Sequence, residues 1–156
     1  MRQLHSIKKN IKICITSISP VLTSKILYKR AFGKALDLKN PKTFNEKLMW
    51  LKLNTYYNNP LVTKCADKYL VREYIQECGQ GHLLNDLIGV WNSVDDIEWD
   101  SLPQEFVLKC NHGCGYNIIH DGKSKINIDE VKAKLTKWMN EDFWKLSGEV
   151  NYKYIP

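Results

Sequence analysis

The sequence predicts a mixed α/β, or α+β, chain: a helical basic N-terminus followed by a small sheet with a hairpin and flanking helices. Three observations carry this. Apolar residues recur at helical spacing behind recognisable caps through the first half of the chain. The stretch "EFVLKCNHGCGYNII", residues 105–119, alternates like a strand and then breaks at a glycine-spaced turn. Helical spacing returns after Asn127. Helices, strand, hairpin and helix, in that order, describe helices packed on a small sheet.

Residues 1–39 are basic and weakly periodic, which predicts helix in pieces, with Gly33 as punctuation. "NPKTFNEKLMWLKL" is clearer. Thr43 can cap a helix, and Glu46 sits at capping-box spacing. Phe44, Leu48 and Leu51 then share a face, with Trp50 beside it, until "NNP" ends the element. In "LVTKCADKYLVREYIQECG", Val62, Cys65, Ala66, Tyr69 and Ile75 share a helical face, and Gly79 makes the stop. "DLIGVW" reads as a short strand. Ser93 is the expected cap of a segment whose first turn carries Asp95 and Asp96. In the strand that follows, Phe106, Leu108 and Cys110 face one way and Val107, Lys109 and Asn111 the other. "NIIHDGKSKI" is expected to return as a strand with a turn at Asp121-Gly122. A last helix starts near Ile128, with Asn127 and Glu130 at capping-box spacing. Val131, Leu135, Trp138 and Met139 form its apolar side. In "GEVNYKYIP", Tyr152, Tyr154 and Ile155 alternate like the start of another strand.

A chain of 156 residues, 44% hydrophobic and 26% charged, has room for one modest core and is too apolar to be disordered. No apolar run approaches the ~20 residues that a membrane span needs. The early apolar stretch is interrupted by Lys12, Pro20 and Lys25 and lacks a small-residue cleavage site, so the cytoplasm is the expected compartment. Five cysteines, an odd number, read as free thiols. The net charge of +6 is unevenly spread: residues 1–52 hold 12 Lys/Arg against two acids, and the remainder 11 against 15. The basic N-terminal third reads as a solvated face, or as a surface for nucleic acid, an anionic membrane or an acidic partner. Aromatics are not interleaved with its basic residues and no reading motif appears, so no specific nucleic acid is expected.

Two chemistries compete for the glycine-spaced turn. Cys110, His112 and Cys114 are soft ligands, with His120 nearby, but a zinc site normally pairs ligands two to four residues apart, twice over. Only one tight cluster is present, so no metal ligand is assigned. A strand running into Gly-x-Gly lets backbone N–H groups approach phosphate oxygens without an intervening Cβ, and Lys109 supplies a point charge. A tight hairpin turn with a surface lysine is the bland alternative.

Five stretches, "NPKTFNEKLMWLKL", "TKCADKYLVREY", "LIGVWNSVDDI", "LPQEFVLKCNHGCGYNII" and "GEVNYKYI", together resemble ATP-grasp proteins of the teichuronopeptide-biosynthesis type. The likeness runs in order from about residue 38 to residue 156. Such enzymes clamp ATP between two α/β subdomains and typically form an acyl phosphate that an amine converts to an amide. The resemblance implies two segments: a basic, partly helical one over residues 1–40 and the N-terminal part of an ATP-grasp-like domain over residues 41–156. It implies that Lys68, in "ADKY", and Lys109, in "FVLKCNHG", contact the ATP phosphates from two sides. Gly113, Cys114 and Gly115 correspond to the glycine-rich loop over the phosphates, with Cys114 a mild departure. Asn111 and His112 stand where the family carries Asn-His, and His112 is expected either to orient phosphate or substrate or to bond nearby backbone.

In that family, adenine sits at a hinge just past the segment matching "GEVNYKYIP", and the magnesium ligands lie farther on. Magnesium is thus expected for the full-length family but without ligands here. The expectation is an N-terminal portion, truncated or a fragment, with no catalytic residue of its own and no turnover alone. A second chain carrying the missing half would restore a carboxylate–amine ligase, with a uronic-acid polymer or other glycan as substrate and capsular or cell-wall polysaccharide as its setting. The alternatives are an inactive remnant, or a non-catalytic module docking weakly on an anionic membrane surface through the basic N-terminus.

Overall fold

The computed structural model describes residues 2–123 and 125–155. Among the described residues, seven helices and a two-stranded antiparallel sheet make the mixed α/β chain that the sequence predicts. The chain forms two compact units, Met1–Ala66 with Asp142–Pro156, and Asp67–Glu141.

In the first unit, α1 (Arg2–Ile18) and α2 (Pro20–Phe32) meet at Ser19. The Ser19 hydroxyl accepts from Leu22 N–H at 3.1 Å, and Pro20 opens α2, where a missing N–H costs nothing. Gly33 closes α2 in the left-handed region at φ 71°, the punctuation read from the sequence. The two helices face each other through hydroxyls: Thr16 and Thr23 lie 3.0 Å apart, and Ser24 is buried beside them in sequence.

Helix α3 (Phe44–Leu53) carries the expected capping box. The Thr43 hydroxyl accepts from Glu46 N–H, and the Glu46 carboxylate accepts from Thr43 N–H at 2.9 Å and Lys42 N–H at 3.1 Å. The expected apolar face does not turn inward. Phe44 is 74% exposed and Leu48 is exposed, while the buried residue of α3 is Glu46. Its carboxylate folds back on the helix start, and that polar anchorage faces the interior instead. After α4 (Pro60–Ala66), the unit resumes with α7 (Phe143–Ser147), which packs on α1. The final stretch is a 3-10 turn, Val150–Tyr152, not the start of a strand; Tyr152 N–H bonds Glu149 C=O at 3.1 Å and Lys153 N–H bonds Val150 C=O at 3.1 Å. Local bonds three residues apart satisfy that backbone before any strand partner is needed. Val150 and Ile155 join the core, and Pro156 lies outside the described residues.

In the second unit, the helical pattern of residues 62–75 does not run through. Asp67 interrupts it, and α5 (Val71–Glu77) begins afresh. Cys65 and Tyr69 are consequently exposed and the five apolar residues share no single face. Gly79, at φ 72°, follows α5 as expected. "DLIGVW" forms no strand, and Leu87, Ile88 and Val90 are about half exposed. Ser93 caps only a 3-10 turn, Val94–Asp96, whose Val94 is buried.

Strands β1 (Phe106–Lys109) and β2 (Asn117–His120) pair in the register Phe106↔His120, Lys109↔Asn117. Along β1, Phe106 and Leu108 are buried and Val107 and Lys109 exposed, as the alternation predicts. β2 ends at His120 rather than continuing through the expected turn, since Gly122 takes φ 70° and leaves the strand; Ser124 lies outside the described residues. Helix α6 (Ile128–Met139) starts at the predicted cap, with Asn127 Oδ1 accepting from Glu130 N–H at 3.2 Å. Leu135 is buried and Val131 and Trp138 half-buried, whereas Met139 is exposed.

Candidate functional site

Residues 110–116 connect β1 to β2. The connection is pinched at its base by Cys110 N–H donating to Tyr116 C=O at 3.0 Å. Gly115 stands at φ 79°, a region where a side chain is strained. Cys114 and Gly115 form an exposed rim; Gly113 is buried.

Lys68 reaches this connection from the turn before α5. Its ammonium donates to the Cys110 carbonyl at 2.9 Å and to the Gly113 carbonyl, and lies 3.5 Å from that of Asn111. Burial lowers the Lys68 pKa below the ordinary lysine value. Cys114, Cys110 and Asp67 push it back up, and the Lys109 charge pushes it further down. Asp67, 1% exposed, braces the same assembly. One carboxylate oxygen accepts from the N–H groups of Tyr69 at 2.7 Å and Leu70 at 3.0 Å, and the other from the Asn111 side-chain amide at 3.1 Å.

These contacts orient the peptide units. In a planar trans peptide the N–H points opposite to the C=O. With the carbonyls of Cys110 and Gly113 on the Lys68 ammonium, the N–H groups of Asn111 and Cys114 point away from it. The His112 N–H follows the Asn111 carbonyl in the same sense. Among the described residues, no acceptor takes these three N–H groups.

His112 turns toward α6. A carbonyl can only accept, so His112 Nε2 carries the proton it shares with Trp138 C=O at 3.0 Å. Its ring meets Tyr116 edge-on at 5.7 Å, and Tyr116 stacks on Trp138 at 5.1 Å. The Tyr116 hydroxyl donates to Glu141 at 2.6 Å. Burial and then that bond hold the phenol well above its usual range.

Of the residues singled out from sequence, Lys68, Asn111 and Gly113 thus come together directly. Lys109 is exposed, with its charge near enough to act on Lys68. His112 is bound to backbone, the alternative kept open for it. Cys110 is buried, and burial raises its thiol pKa. Among the described residues no three His, Cys, Asp or Glu side chains converge as metal ligands. A lysine pair and turned-out N–H groups suit anionic oxygens and repel a divalent cation, so these residues do not fit magnesium. Sequence reasoning missed Asp67, Tyr116, Glu141 and the Trp138 carbonyl. Asp67 had a signal: an Asp within an apparent helix prefers to bond N–H groups two or three residues on and so breaks it.

A lysine-bearing strand thus leads into a glycine-rich connection on a mixed α/β chain. The profile of the TupA-like ATPgrasp family matches residues 46–156, well over half of the chain, and the chain belongs to that family. Membership supports an ATP-grasp ligase-type role, and the family generally uses ATP with magnesium. No curated protein matches this chain, and no solved structure does.

Proposed function

We propose that residues 111–115 cradle the phosphates of ATP, with Lys109 supplying positive charge, as part of a carboxylate–amine ligase acting on a glycan bearing carboxylates. The observation that carries the phosphate reading is the polarity of the connection: carbonyls on Lys68, N–H groups turned away from it and untaken. Backbone N–H groups so arranged form an anion-binding concavity. Lys68 supports the cradle from behind in this state. Direct contact with phosphate, which the family resemblance implies for it, requires its ammonium to leave the Cys110 and Gly113 carbonyls. The glycan and the acyl-phosphate chemistry rest on the family resemblance alone.

The test is a calorimetric titration of the chain with ATP and with adenosine. ATP binds and adenosine binds much more weakly, Lys109→Ala weakens ATP binding, and added salt weakens it further. Equal binding of both ligands, untouched by Lys109→Ala, would mean that the connection does not hold phosphates.

A further inference from the structure

The first two helices are amphipathic in the reverse sense. At 100° per residue, Ile7, Ile11 and Ile18 fall within about 40° of one another on α1, and Thr16 lies about 140–180° away. A helix on a globular core normally turns the isoleucines inward. Here Thr16 is fully buried, while Ile7 is 55%, Ile11 53% and Ile18 85% exposed. Helix α2 repeats the inversion. Thr23, Ser24 and Tyr28 are buried; Leu22 and Ile26, each 48% exposed, lie on the outer side among Lys25 and Lys29. The hydroxyl contact between Thr16 and Thr23 holds the pair in this sense. The first 36 residues contain eight Lys/Arg and no Asp or Glu.

We propose that the α1–α2 hairpin docks on an anionic lipid surface, with Ile7, Ile11, Ile18, Leu22 and Ile26 entering the headgroup boundary and Lys25 and Lys29 pairing with lipid phosphates. The occupant follows from the two properties together. A second copy would bring its own Lys25 and Lys29 against those of the first. A nucleic acid would satisfy the lysines and leave the isoleucines in water. A bilayer of anionic lipid takes both, because apolar side chains partition below the headgroups while lysine stems lie along them. No helix of the described residues is long and apolar enough to cross a membrane, so the contact lies in the interface plane. This rests on the first unit alone and is independent of the phosphate reading.

The experiment is flotation of the full chain with phosphatidylcholine vesicles, with and without phosphatidylglycerol. The chain floats with the phosphatidylglycerol vesicles and stays behind with pure phosphatidylcholine. Lys25→Glu with Lys29→Glu weakens partitioning by more than about tenfold, and so does Ile11→Asp with Ile26→Asp. All four positions are exposed, so the variants keep the wild-type circular dichroism. Failure of the wild type to float with phosphatidylglycerol vesicles would overturn the proposal. Undiminished flotation of the Ile11/Ile26 variant would also overturn it, since the attachment would then be purely electrostatic. A dimer in light scattering that Ile11→Asp dissociates, without vesicle binding, would show that a second copy covers these residues instead.

Discussion

The side-chain amide of Asn111 donates to the Asp67 carboxylate at 3.1 Å, joining the end of β1 to the turn that opens α5. Asp67 also accepts from Tyr69 and Leu70, so one buried carboxylate holds a helix start and a loop in register. Asp67→Ala removes three hydrogen bonds and leaves the Asn111 amide without its acceptor. The expected cost is about 2–3 kcal/mol, read from urea unfolding. Asp67→Asn keeps an acceptor for the backbone N–H groups and loses less. Equal losses for the two variants would show that the carboxylate charge, not the hydrogen-bond geometry, matters.

Lys68 is tested through the connection it orders. Lys68→Met keeps the stem and removes the donor that the carbonyls of Cys110 and Gly113 face. Exchange of the Cys110 amide, which is bonded to Tyr116 C=O, accelerates, while exchange in α6 is unchanged. Uniform acceleration through both would indicate general destabilisation rather than release of the loop.

Gly115 stands at φ 79°, with open space where a Cβ would be. Gly115→Ala therefore costs backbone strain without a clash, about 1 kcal/mol. Gly115→Asn, which tolerates the left-handed region better, costs less. Thermal unfolding of the two variants measures the order.

The Tyr116 phenol is raised, first by burial and then by its bond to Glu141. The folded chain therefore keeps a proton that the unfolded chain loses near pH ~10. This contribution is complete below that pH and is lost as pH climbs toward the folded value. The buried Cys110 thiol acts in the same direction. Lys68, lowered chiefly by burial, acts in the opposite one. Tyr116→Phe therefore shows a shallower loss of stability between pH ~9 and ~11 than the wild type. Parallel profiles in denaturant titrations would remove Tyr116 from the alkaline response.

Thr43→Ala opens the capping box at α3, at an expected cost of about 1 kcal/mol. The hydrogen bonds from Thr43 lower the Glu46 pKa, so the Glu46 contribution is present above the usual carboxylate range and disappears as pH falls through the folded value. The difference between wild type and Thr43→Ala accordingly narrows in acid, which chemical denaturation at several pH values will reveal.

Caps, glycine stops and strand alternation were legible in the sequence alone. Thr43, Asn127 and Gly33 act through bonds to groups three or four residues away, and the β1 alternation follows from the strand's own geometry. The family was legible too, from stretches spread along the matched region. Tertiary structure alone decided what each helix face meets. Phe44 and Leu48 have the spacing of a buried face, yet the folded-back Glu46 occupies the inward side; the isoleucines of α1 likewise face out because hydroxyls hold the inner seam. The candidate site belongs to the same category. Lys68 meets Cys110 and Gly113 across 42 and 45 residues, and Asp67 meets Asn111 across 44. Periodicity reports which side chains share a direction within one element; the partner waiting in that direction exists only once the chain has closed around it.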